Sequence, residues 1–235
     1  MKNKRLIIGL FCLALTGISC SKDEEQNSDN LTIKARTNYM SNRVIGLHVN
    51  AGVNLTSFKI NLKEIEFEMD DDFSFGDGFY GDDDDIELRG PFELNVLNGT
   101  TEITSLTIPN GIYKEVEFKM SRNTTSGSSM FNKSIEIKGS INGTPFEFWH
   151  NVEEDFEIDY DDTNQNILVT DNTTTLVFDF DLNAAINSID FSVATDGDGD
   201  GIIEINPNDS DGNQSLANLI KDRIKDSCDL DGFFT

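Results

Sequence analysis

The first thirty residues and the rest of the chain follow different hydrophobic patterns. Lys2, Lys4 and Arg5 make a basic start, Leu6 to Leu15 is an uncharged apolar run, and Ser21 to Asn30 is polar and charged without apolar periodicity. An apolar run of about ten residues is too short to cross a bilayer but has the length of a signal-peptide core. The polar stretch after it predicts a tether, not a packed element.

From Leu31 the period becomes two. Short runs rich in Ile, Val, Phe and Thr recur between clusters of Asn, Gly and Asp, the pattern of strands with one buried face. Candidate strands are Leu31 to Ala35, Arg43 to Asn50, Phe58 to Met69, Phe92 to Leu97, Glu102 to Ile108, Tyr113 to Met120, Ser134 to Ile141, Pro145 to His150, Phe156 to Tyr160, Asn166 to Val169 and Thr174 to Phe180. So many short strands predict an all-β fold, an antiparallel two-sheet β-sandwich over residues 31–190.

Two details sharpen this reading. Asn142-Gly143 suits a two-residue type I′ turn, which needs positive φ at both positions. That loop would pair Ile141 with Thr144, Gly139 with Phe146 and Ile137 with Phe148 on one face, and Lys138 with Glu147 and Glu136 with Trp149 on the other. Farther up the chain, Phe58, Ile60 and Leu62 alternate, as do Ile65, Phe67 and Met69, but the two sets are out of phase across Lys63-Glu64. A β-bulge there would return both sets to one face.

Beyond the strands the period lengthens. Leu182 to Ile189 fits a turn or two of helix, and Leu216, Leu219, Ile220 and Ile224 recur at helical spacing, with Lys221, Arg223 and Lys225 toward the C-terminal half where the helix dipole favours cations. An amphipathic helix over residues 213–228 is expected to pack on the sandwich, and a partner-binding helix is the alternative.

Charge narrows the partners. The chain carries 18 basic and 43 acidic residues, a net charge of −25, and loss of residues 1–19 removes three basic and no acidic residues, leaving −28. This argues against nucleic acid or an anionic membrane surface and favours divalent cations or plain solubility. Glu68 to Glu87 holds ten acids and no Lys or Arg, with Phe73, Phe75, Phe79 and Tyr80 interspersed. It reads as a solvated surface insertion; a cation-attracting or partner-binding loop is the functional alternative.

The cysteines are three. Gly17-Ile18-Ser19-Cys20 resembles a bacterial lipoprotein cleavage site, with Gly17 where a Leu is usual, as in the looser lipoboxes of Bacteroidetes-type proteins. Ser21-Lys-Asp-Glu-Glu25 is similar to the acidic export signal of such lipoproteins. The resemblance implies lipidation at Cys20 and an outer-membrane anchor facing the medium; an ordinary secretory signal is the alternative. Cys12 would leave with the signal, so Cys228 alone would remain and no internal disulfide is expected. Roughly 215 mature residues suffice for one large β domain with a small appendage.

Asn61-Leu-Lys-Glu-Ile-Glu66, Gly90-Pro-Phe-Glu-Leu-Asn-Val-Leu97, Ile108-Pro-Asn-Gly-Ile-Tyr-Lys-Glu-Val-Glu-Phe118, Ile141-Asn-Gly-Thr-Pro145 and Leu176-Val-Phe-Asp-Phe-Asp-Leu182 resemble, in order, motifs of the lipoprotein family called domain of unknown function 4382. The likeness spans about residues 31–190 and implies an immunoglobulin-like or prealbumin-like sandwich without an assigned activity.

Specific chemistry is concentrated in Asp196-Gly-Asp-Gly-Asp-Gly201-Ile-Ile-Glu204. Alternating carboxylates separated by glycines can converge on one hard cation, and Gly201 stands where an EF-hand loop makes its sharp turn. On that template Asp196, Asp198 and Asp200 are side-chain ligands of calcium and Ile202 a carbonyl ligand. The twelfth position, normally a bidentate Glu, is Pro207. Asp209 and Asp211 are candidates to replace it, which resembles the loops of thrombospondin type 3 repeats. A plain acidic turn is the alternative.

Signs of an enzyme are few. His48 and His150 both sit in strand-like runs, and no Gly-x-Ser-x-Gly elbow, phosphate loop or zinc signature occurs. The expectation is a non-enzymatic surface module. Alternatives are a calcium-dependent carbohydrate or protein ligand-binding module using Trp149, Tyr80 and the acidic stretch, and a hydrolase with unassigned carboxylates.

Overall fold

The structure, a computed structural model, describes residues 29–39, 52–69, 85–97, 99–159 and 167–233. The signal-like segment, Cys20, His48, the candidate strand Arg43 to Asn50, Tyr80 and most of the acidic stretch lie outside the described residues. Among the described residues no helix is long and apolar enough to cross a membrane.

Two sheets pack face to face. The smaller contains β1 (Leu31–Thr37), β4 (Thr100–Leu106), β10 (Thr174–Phe180) and β12 (Cys228–Phe233), in the order β12-β10-β1-β4. The larger runs β11-β7-β6-β2-β5-β8, formed by Ile203–Ile205, Thr144–His150, Ile135–Ile141, Val53–Met69, Gly111–Met120 and Glu154–Asp159. β3 (Asp85–Asn95) pairs with β2, and β9 (Ile167–Val169) with β5. Pairing is antiparallel except for β1 with β10 and β7 with β11. These two parallel pairs join strands far apart in sequence, as parallel pairing requires a crossover.

Phenylalanines join the layers. Phe118 of the large sheet stacks on Phe178 of the small one with centroids 4.6 Å apart, and Phe58 meets the edge of Phe180 at 5.5 Å. All four are 1% exposed or less. Each aromatic pair contributes about 0.5–1.5 kcal/mol beyond its buried area.

β2 organises the large sheet. Val53–Ile60 pairs with β6 and Leu62–Met69 with β5, while residues 59–68 also pair with β3. Because a strand has only two edges, β6 and β5 share one of them in succession, and they part at Asn61. The register shifts between Leu62 and Glu64 toward both neighbours. This is the bulge expected at Lys63-Glu64. Phe58, Ile60 and Leu62 are buried on one side of it and Ile65, Phe67 and Met69 on the other.

The β6–β7 hairpin has the expected register from Ile141↔Thr144 to Glu136↔Trp149. Asn142 and Gly143 have φ of 52° and 89°, as a type I′ turn demands. Glu136 lies opposite Trp149 as expected, yet it is not solvated. It is 2% exposed, covered by the ammonium groups of Lys59 at 3.7 Å, Lys138 at 4.0 Å and Lys133.

Strand bounds differ mainly where acids cluster. β3 begins at Asp85, inside the acidic stretch, because Ile86 and Leu88 stand opposite Phe67 and Ile65 and pack on the core. The short strands β11 and β12, which are not among the candidate strands, bring residues after 190 into the large and small sheet respectively.

Candidate metal centre

Local capping leads the chain from the last core strand to the acidic loop. After β10, the Asp181 carboxylate accepts the Ala184 N–H at 2.9 Å and starts α1 (Leu182–Asn187), which buries Leu182, Ala185 and Ile186. Asp190 then accepts the Ser192 N–H at 2.9 Å and opens a 3-10 turn whose Phe191 is buried. The acidic loop follows and ends in β11, whose Ile203 and Ile205 stand opposite Phe146 and Phe148. α2 (Gln214–Asp226) closes the unit, burying Leu216, Ala217, Ile220 and Ile224.

Between these anchors the carboxylates are set by backbone N–H groups. Asp196 accepts from Gly199 at 2.7 Å and Gly201 at 2.9 Å, Asp198 from Asp200 at 3.2 Å, and Asp200 from Ile202 at 2.8 Å. Each of these bonds curls the chain by a few residues, as Asx turns do. Gly201, with φ of 95°, supplies the left-handed bend for which the sequence offers it.

Asp211 reaches into this loop from fifteen residues downstream. One oxygen accepts the N–H groups of Gly197 at 2.9 Å and Asp198 at 3.1 Å, and the other accepts the Glu204 N–H at 2.7 Å. Burial pushes its carboxyl up, but the bonds from Glu204, Asp198 and Gly197 outweigh that and hold it below the usual carboxylate value of 3.8. Gly197 is required by the same approach. A Cβ there would lie 2.5 Å from the Asp211 carbonyl oxygen.

Carboxylate oxygens of Asp196, Asp198 and Asp211 lie within 4.8 Å of one another. Asp198 is exposed, Asp196 half-buried and Asp211 buried. The carboxylates of Asp200, a ligand on the EF-hand template, and of Asp209 lie outside this group; Ile202 would offer a backbone carbonyl, which a grouping of carboxylates does not address. The carboxylate of Asp209 is engaged elsewhere. It accepts from Asn206, Gly212 and Asn213 N–H groups at 3.0, 2.8 and 2.9 Å, fixing the turn that enters α2. The Asn213 amide then donates to the carbonyls of Thr195 and Glu204 at 2.8 and 2.7 Å, tying the helix start to both ends of the loop.

No protein-family model, curated protein or solved structure matches the chain.

Other sequence candidates sit apart from this loop or carry no convergent chemistry. His150 is held against α2, with Nε2 3.4 Å from Asn218 Oδ1 and a buried Nδ1 without a partner. Burial lowers its pKa from 6.5, the Asn218 contact opposing. Trp149 is half-buried on the hairpin opposite Glu136. Cys228 is half-buried at the start of β12.

A second feature, not among the sequence candidates, is an acidic field on the outer face of the large sheet. Glu64, Glu66 and Glu68 of β2 lie beside Glu115, Glu117 and Lys119 of β5, and Glu157 of β8 lies beside Glu117. Lys119 bridges Glu64 at 3.1 Å, Glu117 at 3.0 Å and Glu66. The Glu115 carboxyl is pushed up to about 7, by burial first and then by the charges of Glu157 and Glu68. Alternation of Glu with apolar residues along β2 and β5 was the available signal.

Proposed function

We propose that the chain is a non-enzymatic lipoprotein, anchored through Cys20 in the outer membrane and facing the medium, whose β-sandwich is braced by calcium in the C-terminal loop. The anchor rests on the resemblance of Gly17–Glu25 to a lipoprotein cleavage site, and the calcium site on one observation of the loop. Calcium holds oxygen ligands at about 2.4 Å, so two oxygens on one ion lie no more than about 4.8 Å apart. Those of Asp196, Asp198 and Asp211 meet that limit. Asp211 takes the role that a Glu at the position of Pro207 would have in an EF-hand.

The donor set suits a hard cation, since all three groups are carboxylates and neither sulfur nor imidazole is among them. The ion would relieve the repulsion among the three and stiffen the junction of β11 with α2. Carbonyl oxygens and water would complete its shell. Three carboxylates on a partly exposed loop fit weak binding at external, millimolar calcium.

Thermal unfolding in calcium and in chelator tests this. A higher melting temperature in calcium, lost in Asp196→Asn/Asp198→Asn, is expected. Identical melting in both conditions would refute a structural calcium site.

A further inference from the structure

The bulge of β2 opens a cleft in which the charge of the molecule reverses. β3 bulges opposite it, Gly90-Pro91 lying between the pairs Leu62↔Phe92 and Glu64↔Arg89. On the other edge β5 and β6 diverge, and the chain from Ser121 to Ser134 leaves the sheet between them. These departures leave a concavity of about 330 Å³ lined by Asn61, Lys63, Pro91, Arg122, Asn123 and Glu153 among others.

Its floor is rigid. Asn61 and Asn123 are each 1% exposed. The Asn61 amide donates to the Ser121 carbonyl at 2.7 Å, and the Asn123 amide donates to Asn61 Oδ1 at 3.0 Å and Glu93 Oε1 at 2.7 Å. The Asn123 backbone also bonds to Lys133 and Asn132 at 2.9 and 2.8 Å. Arg122 is thus carried between two fixed residues.

Among the described lysines and arginines, only Lys34, Lys63 and Arg122 form no ion pair. In a chain with 43 acids against 18 bases, cations with no carboxylate at ion-pair distance are unusual, and two of the three line this cleft, although the charge of Lys63 also acts on Glu87. Repulsion from acids elsewhere on the surface fades beyond about 8 Å at physiological salt, whereas these two groups act at contact distance.

We propose that this cleft binds a sugar acid of monosaccharide size, with Lys63 and Arg122 holding its carboxylate and the Ser121 and Thr124 hydroxyls and Glu153 receiving its hydroxyl groups. The volume stands at the lower end of ligand sites, larger than a bare oxoanion needs. Glu153 repels an oxoanion but accepts hydrogen bonds from a polyol. None of the lining residues is aromatic, so there is no platform for a nucleobase. A guanidinium matches a carboxylate in two-pronged geometry. The site does not draw on the calcium loop.

The test is calorimetric titration of the full chain in detergent with galacturonate, its methyl ester, galactose and inorganic sulfate. Saturable galacturonate binding is expected, weaker by about tenfold or more for the methyl ester and in Lys63→Ala/Arg122→Ala. Both side chains are exposed, so the variant should keep the melting temperature of the native chain. Lys34→Ala and Asp196→Asn/Asp198→Asn should bind galacturonate as the native chain does. The proposal is overturned by absence of saturable binding, by equal binding of the ester or of sulfate, or by undiminished binding in the double variant.

Discussion

Asp211→Asn separates bracing by the protein from bracing by an ion. The amide keeps one oxygen for the Gly197 and Asp198 N–H groups and turns an NH₂ toward the Glu204 N–H, now 2.7 Å from its acceptor. Loss of charge weakens two bonds by about 0.5–1 kcal/mol each, and orphaning the third donor costs roughly 1–3 kcal/mol. An opposing effect exists. Carboxylates within 4.8 Å repel, by about 0.9 kcal/mol per pair in water, and salt roughly halves that. Relief from Asp196 and Asp198 therefore returns about 1 kcal/mol. The brace wins by about 2 kcal/mol, a fall of roughly 4–8 °C in melting temperature for a domain of this size.

Scanning calorimetry in chelator reads this fall without any contribution from metal. In calcium at about ten times Kd the gap should widen by about 1.4 kcal/mol, because the variant lacks one of the three convergent carboxylates. Acid should close it. The folded carboxyl lies below 3.8, so its contribution is present above pH 3.8 and disappears as pH falls through the lower folded value. An unchanged or higher melting temperature of the variant in chelator would refute the reasoning, since repulsion would then outweigh the three bonds.

Glu115 should behave in the opposite sense. With its pKa raised from 4.5 to about 7, the folded protein loses stability as pH rises from 4.5 through 7, and Glu115→Gln should flatten that part of a stability–pH curve measured by urea unfolding; an unaltered slope would contradict the assignment. Cys20→Ala should release the protein from the membrane fraction and abolish surface labelling, and unchanged retention would remove the anchor from the account.

Legibility from sequence followed the range of the interactions concerned. The bulge at Lys63-Glu64 and the Asn142-Gly143 hairpin are local conflicts or matches of period with turn chemistry, and both stand as read. β11 escaped because three residues within an acidic loop show no period; pairing with Phe146 and Phe148 makes it a strand. β12 escaped because its alternation covers only Cys228-Asp-Leu-Asp231, directly after a helix; pairing with β10 makes it a strand. The burial of Glu136 needed Lys59 from β2 and Lys133 from the loop that enters β6. In the acidic loop, spacing grouped Asp196 with Asp198 but could not choose between Asp209 and Asp211. That choice depends on a turn in which Asp209 is consumed by the start of α2. Lys63 and Arg122 line one cleft because β5 and β6 part at Asn61.

Calorimetric titration of calcium into the metal-free full chain, repeated on Asp196→Asn/Asp198→Asn, decides whether the acidic loop is a calcium site. One saturable site of roughly millimolar Kd that vanishes in the double variant is expected. Absence of binding heat, or a site that survives in the double variant, would contradict it and leave the loop held by its own backbone hydrogen bonds alone.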